Sequence, residues 1–182
     1  MNKIDINKII ETKRLIIRYV NIKDQPPLFN QIFNSDKVLE YFIAEKCENI
    51  EDLKLDKMID VSIKSNRYFM SIELKENNEV IGLILECDTP DKYFNNVELG
   101  YAIGEKYWNQ GYATEALQAM IDFEFKENNV HKIVCSHIEE NTRSKRVMEK
   151  CNMIYEGKFI EELYYHNHYY NLCYYYLINK NI

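Results

Sequence analysis

The stretch "ELGYAIGEKYWNQGYATEAL", residues 98–117, changes character in its middle. Its first part reads as a strand that ends near Gly104, and from about Gly111 it runs into alanine-rich sequence with helical spacing. A strand, a short polar connection and a helix opening on glycine leave several backbone N–H groups free at a positive helix end, a ready anion site. Gly111 carries no Cβ to obstruct a close approach there, although glycine before a helix is also an ordinary turn device. The chain contains neither GxxxxGK[ST] nor GxGxxG, so nucleoside triphosphate and dinucleotide loops fall away.

On the N-terminal side, "RLIIRYV" (14–20) predicts a strand and "DQPPLFNQIFNSDKVLEYF" (24–42) a helix behind its Asp and prolines. A second helix is expected over "NIEDLKLDKMIDVSIKS" (49–65), with Leu53, Leu55, Met58, Ile59 and Ile63 on one broad face. "RYFMSIELK" (67–75) and "EVIGLILEC" (79–87), joined by "ENN", form a hairpin that continues into "NVELGYAIG" (96–104) as a meander. On the C-terminal side, Ala113, Leu117, Ile121 and Phe125 recur every four residues through a buried helix ending about Lys126. "KIVCSHI" (132–138) is a strand and "TRSKRVMEKC" (142–151) a helix, closed by Asn152 as a left-handed cap. Two tyrosine-rich strands finish the chain. The expected architecture is one α/β domain over residues 1–182, with a mixed, mostly antiparallel sheet of six to seven strands and about four helices.

A composition of 46% apolar and 29% charged residues is that of a soluble protein, and no apolar run approaches the ~20 residues of a membrane helix. "MNKIDINKII" interrupts its apolar residues with Asp5 and lacks a small-residue cleavage site, so a cytoplasmic location is expected, without a membrane partner. The five cysteines are odd in number and widely spaced, as reduced core thiols are. A net charge of −6 argues against nucleic-acid binding and mildly favours cationic partners such as amines. His166 and His168 lack companion ligands at recognisable spacing, so they read as a polar turn, and no metal is expected.

"NTRSKRVMEKCNM" (141–153) puts Asn141 at a helix start and Ser144 three residues on. Together with residues 98–117 and the opening "ETKRLIIR" (11–18), it resembles the GNAT acyl-CoA N-acyltransferase superfamily, in the branch of RimJ/RimL-type ribosomal-protein N-terminal acetyltransferases. The resemblance spans nearly the whole chain. It implies the GNAT fold, in which the strand carrying Tyr101, Ala102 and Ile103 splays from its parallel neighbour "KIVCSHI" to leave a V-shaped cleft. It further implies acetyl-CoA as co-substrate, with pantetheine along that strand and pyrophosphate on Asn109, Gln110, Gly111, Tyr112, Ala113 and Thr114, beside Trp108. The acceptor is then a primary amine: a protein N-terminus, a polyamine or another small amine. A monomer or a homodimer fits the resemblance equally.

Two positions depart from the family's pattern. Trp108 stands where Gln or Arg is common, although this branch often has an aromatic residue there. Met148 stands where many relatives carry a tyrosine acid, which makes Ser144 the candidate donor to the departing thiolate. Asn141 is expected to hold pantetheine, with helix capping as its ordinary alternative role. Glu98 is the first candidate base, with Glu161 and Glu162 as rivals, and Tyr164 and Tyr165 are candidates for the acceptor wall. A CoA-binding sensor of the same fold that has lost catalysis is the alternative function.

Overall fold

In the computed structural model, which describes residues 4–87 and 95–180, one mixed sheet runs through the molecule. Its strands are β1 (Ile9–Glu11), β2 (Leu15–Tyr19), β3 (Phe69–Leu74), β4 (Val80–Glu86), β5 (Asn96–Ile103), β6 (Lys132–Ile138), β7 (Ile154–Tyr165) and β8 (His168–Ile178). They lie in the order β1-β2-β3-β4-β5-β6-β8-β7, and only β5 and β6 are parallel. Among the described residues there are thus eight strands rather than six to seven. The extra one, β1, is too short for a period-2 pattern to reveal it. The Tyr165–His168 turn is a tight hairpin in which His166 and Asn167 both have positive φ, as the polar-turn reading requires.

Among the described residues, five α-helices accompany the sheet: α1 (Gln25–Leu28), α2 (Asp36–Leu39), α3 (Leu55–Lys64), α4 (Tyr112–Lys126) and α5 (Thr142–Lys150). The continuous helix expected over 24–42 is therefore broken. α1 passes through a wide π turn, Phe29–Phe33, and stops at Asn34; Ser35 then accepts a hydrogen bond from Val38 N–H and starts α2 afresh. A serine that bonds its own backbone competes with helix continuation, and apolar periodicity does not register that competition. The approach to α1 is fixed by a buried ion cluster. Arg18 of β2 donates from Nη1 and Nη2 to the two Asp24 oxygens, both at 2.8 Å, and from Nε to Glu73 of β3. Burial opposes ionisation of Asp24, but Arg18, Asn21 N–H and the Ser71 hydroxyl outweigh it and hold the carboxyl below its ordinary value.

Leu15, Ile17 and Ile72 of the sheet and Leu117 and Met120 of α4, all fully buried, belong to one apolar core. Burial of each such side chain is worth about 1.5–3 kcal/mol. One position breaks the apolar pattern. Phe125, expected inside, is half-buried, whereas Glu124 is completely buried. Its Oε2 accepts from Asn128 Nδ2 at 2.8 Å, while Oε1 has no hydrogen-bond partner among the described residues. Burial first, and then the neighbouring Glu86 carboxylate, push the Glu124 carboxyl up to about 8. Burial raises Glu86 as well.

An acid whose folded pKa is raised takes up a proton on folding, so its stability penalty is absent below the unfolded value near 4.5 and grows until the pH passes about 8. Glu124→Gln removes that titration. We expect the variant to melt close to wild type at pH 5 and to exceed it by roughly 5 °C or more at pH 8, given about 2–4 °C per kcal/mol for a chain of this size. Melting curves that stay parallel across this pH range would refute the buried-acid account.

Candidate active site

The parallel pairing of β5 and β6 covers only Asn96 with Lys132, Val97 with Ile133 and Glu98 with Val134. Beyond it the strands are held by different partners: β5 stays on β4 as far as Ile103, and β6 stays on β8 as far as Ile138. Gly104 N–H donates to Ile81 O and Cys87 N–H donates to Glu98 O, so even-numbered positions along β5 exchange their bonds with β4. Odd-numbered residues, including Tyr101 and Ile103, consequently direct backbone N–H and C=O groups to the side that β6 has left. Of these groups, Ile103 O accepts from the Trp108 indole N–H at 2.7 Å. The Tyr101 N–H and C=O and the Ile103 N–H face the opened side, where strand backbone away from water requires partners.

At the mouth of this cleft, the turn before α4 contains two left-handed residues, Asn109 at φ +61° and Gly111 at φ +82°. Gly111 is needed for that conformation more than for space, since a Cβ there would meet only the Arg14 guanidinium, at 3.4 Å. α4 has no side-chain cap, and its first helical bond runs from Glu115 N–H to Gly111 O. The N–H groups of Tyr112, Ala113 and Thr114 therefore precede the hydrogen-bond ladder and remain open. Glu115, whose charge would repel an anion there, is drawn away. It accepts from Arg14 Nε at 2.6 Å, from Arg14 N–H and from the Thr12 hydroxyl. Arg14 also donates to Gln110 O at 2.9 Å and stacks on Tyr112, 4.3 Å from the ring centroid.

α5 closes the other side. Asn141 caps it by accepting from Ser144 N–H, and its Nδ2 donates to Ser144 Oγ at 3.0 Å. The Tyr101 hydroxyl donates to the Ser144 carbonyl at 3.2 Å, and burial raises that phenol well above its ordinary range, so it stays protonated. Met148, one turn on, is buried. Arg143 stacks on Trp108 at 4.2 Å and, with Arg146 and Lys150, lines the cavity, whose volume is about 250 Å³. Among the described residues, no aspartate or glutamate lines it.

The cavity brings together Tyr101, Ala102, Ile103, Trp108, Asn109, Gly111, Tyr112, Ala113, Thr114, Asn141 and Ser144. Gln110 lies beside it, its side chain donating to Lys106 O. Glu98 sits where the strands are still paired and accepts from Ser136 Oγ at 2.7 Å, outside the cavity wall. Glu161 and Glu162 are exposed on β7, Glu161 at positive φ, and neither reaches the cavity. Tyr164 is exposed. Tyr165 instead supports the wall, its hydroxyl lying 2.9 Å from Ala44 O and 3.3 Å from Leu39 O, which fixes the segment that presents Val38, Tyr41 and Phe42. Sequence reasoning passed over Arg14, Arg143, Arg146 and Lys150. The basic run "RSKR" behind a capping asparagine was the available signal for two of them.

An opened parallel strand pair beside a bare helix N-terminus, under a cationic rim, defines the class of acyl-CoA-dependent N-acyltransferases. The comparisons agree: the family model for the acetyltransferase (GNAT) domain matches residues 14–154, and the chain belongs to that family. An uncharacterized N-acetyltransferase of Bacillus subtilis, YnaD, is 34% identical over 152 residues, covering 82% of this chain and 85% of the relative. The crystal structure of a GNAT-family acetyltransferase from Bacillus anthracis superposes with a TM-score of 0.82 at 29% identity, covering 95% and 99% of the two chains. The [ribosomal protein uS5]-alanine N-acetyltransferase of Escherichia coli is 22% identical over 153 residues, covering 81% of this chain and 79% of its own. The protein is an acetyl-CoA-dependent N-acetyltransferase with RimJ/RimL-type relatives.

Arg14 supports the Asn109–Gly111 turn from behind without lining the cavity. Arg14→Ala is expected to weaken acetyl-CoA binding roughly tenfold, about 1.4 kcal/mol, read by calorimetry. Arg14→Lys should restore little of it, because a lysine does not bridge Gln110 O and Glu115 while stacking on Tyr112. An unchanged dissociation constant in Arg14→Ala would remove this role.

Proposed function

We propose that the protein moves the acetyl group of acetyl-CoA to the primary amine of an acceptor held with it in one ternary complex, and that the acceptor is an α-amine, such as a protein N-terminus, or another amine of similarly low basicity. The observation that carries this reading is the cavity's charge: Arg143, Arg146 and Lys150 line it and, among the described residues, no carboxylate does, in a chain of net charge −6. Phosphates are thus attracted to the α4 N-terminus, where Tyr112, Ala113 and Thr114 offer N–H groups, while Asn109, Gln110 and Gly111 shape the turn beneath them. Tyr101, Ala102 and Ile103 lie along the pantetheine, and the Ile103 N–H polarises the thioester carbonyl.

The thioester supplies the activated acyl group. The amine nitrogen forms its bond to the carbonyl carbon, the carbon–sulfur bond breaks with its electron pair on sulfur, and the proton lost by nitrogen balances the one gained by the CoA thiol. Among the described residues the cavity wall holds no carboxylate base, so in this scheme the amine sheds its proton with little help from the wall. An α-amine, near ~8, does this far more readily than a lysine amine near ~10.4. Glu98 is the nearest candidate base along β5 and acts through water in this scheme, since Ser136 holds its carboxylate outside the cavity wall. Ser144 supplies the hydrogen bond to the departing thiolate.

Acetyl-CoA at a hundredfold excess over Kd should stabilise the fold by about 2.7 kcal/mol, seen as a thermal shift. Thiol release with an acceptor panel of alanine- and serine-starting peptides, spermidine and aminoglycosides tests the reaction, and peptides are expected to lead. Ser144→Ala should raise the barrier in kcat by about 2–4 kcal/mol, on the scale of losing one oxyanion donor, with acetyl-CoA affinity little changed. Binding without thiol release from any amine would overturn the catalytic reading in favour of a sensor.

A further inference from the structure

The contact between Asn141 and Ser144 admits only one hydrogen-bonding pattern. Ser144 N–H can only donate, so the atom facing it at 3.1 Å is the Asn141 carbonyl oxygen. The other end of that amide is then the NH₂ group, which has no acceptor capacity, so Ser144 Oγ, 3.0 Å away, must accept. A hydroxyl that accepts along that direction turns its own proton elsewhere. Ser144 lines the cleft, where its hydroxyl faces the Tyr101 phenol. The residue is also held through its backbone, since the Tyr101 phenol donates to its carbonyl.

We propose that Asn141 is a positioning residue whose side-chain amide occupies an Oγ lone pair of Ser144 and so directs the Ser144 proton into the cleft, toward the sulfur that gains charge as acetyl-CoA is cleaved. This rests on the reading of Ser144 as thiolate donor. It differs from a role for Asn141 in grasping pantetheine, which would use the second amide N–H that the bond to Ser144 Oγ leaves free. A grasping residue acts on affinity, whereas a positioning residue acts on kcat and only through Ser144.

Asn141→Asp separates these roles. Aspartate caps a helix as well as asparagine does, so the melting temperature should stay near that of wild type, but its second oxygen accepts and would draw the Ser144 proton away from the cleft. We expect kcat to fall about as far as in Ser144→Ala, roughly 100-fold, and the double variant to be no slower than Ser144→Ala alone. A further loss in the double variant, or a change confined to KM, would overturn the proposal. Asn141→Ser, which keeps a capping oxygen, serves as the second variant should the aspartate destabilise the fold.

A readout without turnover uses Ser144→Cys in the ligand-free protein. The Asn141 amide then donates to the introduced sulfur and favours its thiolate, so adding Asn141→Asp should move the alkylation profile of that thiol to higher pH. Burial raises the native Cys87 thiol to about 12 and Cys151 to about 11, which keeps their background reaction slow. An identical alkylation profile in both backgrounds would show that the amide does not act on position 144. Unchanged kcat in Ser144→Ala is a different outcome: it removes the donor reading itself, while the alkylation profile still reports on the Asn141 contact.

Discussion

The parting of β5 from β6 after Glu98 and Val134 is the constraint on which the rest of the site depends. Each strand is already satisfied along its far edge, β5 by β4 and β6 by β8, so the two can separate without the sheet falling apart. What separation leaves is a row of backbone donors and acceptors at Tyr101 and Ile103, flanked by α4 and α5. Unpaired backbone shielded from water costs about 1–3 kcal/mol per group, and a ligand that bonds along the strand recovers this. The cleft is thus a sheet edge kept open inside the molecule.

Charge is distributed to suit the same purpose. The acidic residue nearest the α4 N-terminus, Glu115, is bound from behind by Arg14 and Thr12, and the cations Arg143, Arg146 and Lys150 stand at the front. Helix N–H groups and guanidinium groups thus face one cavity, an arrangement that suits anions, in a chain of net charge −6. The cluster of Arg18, Asp24 and Glu73 fixes the approach to α1 and hence the broken helix whose end presents Val38, Tyr41 and Phe42 to the cavity. Tyr165 ties the far end of that segment to the C-terminal hairpin.

Much of this was legible from residue order. Local periodicity marked seven of the eight strands, the α4 and α5 helices and the Asn152 cap, at φ +59°. The glycine and the asparagine–serine pair pointed to the two helix ends that line the cavity. These features are local: a strand, a cap or a turn is specified by residues within a few positions of one another, so the chain displays them directly.

What the chain order does not display are relations between distant residues. Arg14 lies 96 positions before the Gln110 carbonyl it binds, and Tyr165 more than 120 positions after the carbonyls it supports. Glu98 looked well placed as a base on a cleft strand, yet whether a strand residue faces the cleft depends on where pairing ends, which only the neighbouring strands decide. Glu124 is placed by folding beside Glu86 with water removed, a meeting of two acids 38 positions apart. The sequence by itself determined most of the elements, their order and the class of chemistry. Tertiary structure decided which groups meet, because charge, burial and hydrogen-bond direction are properties of neighbours in space.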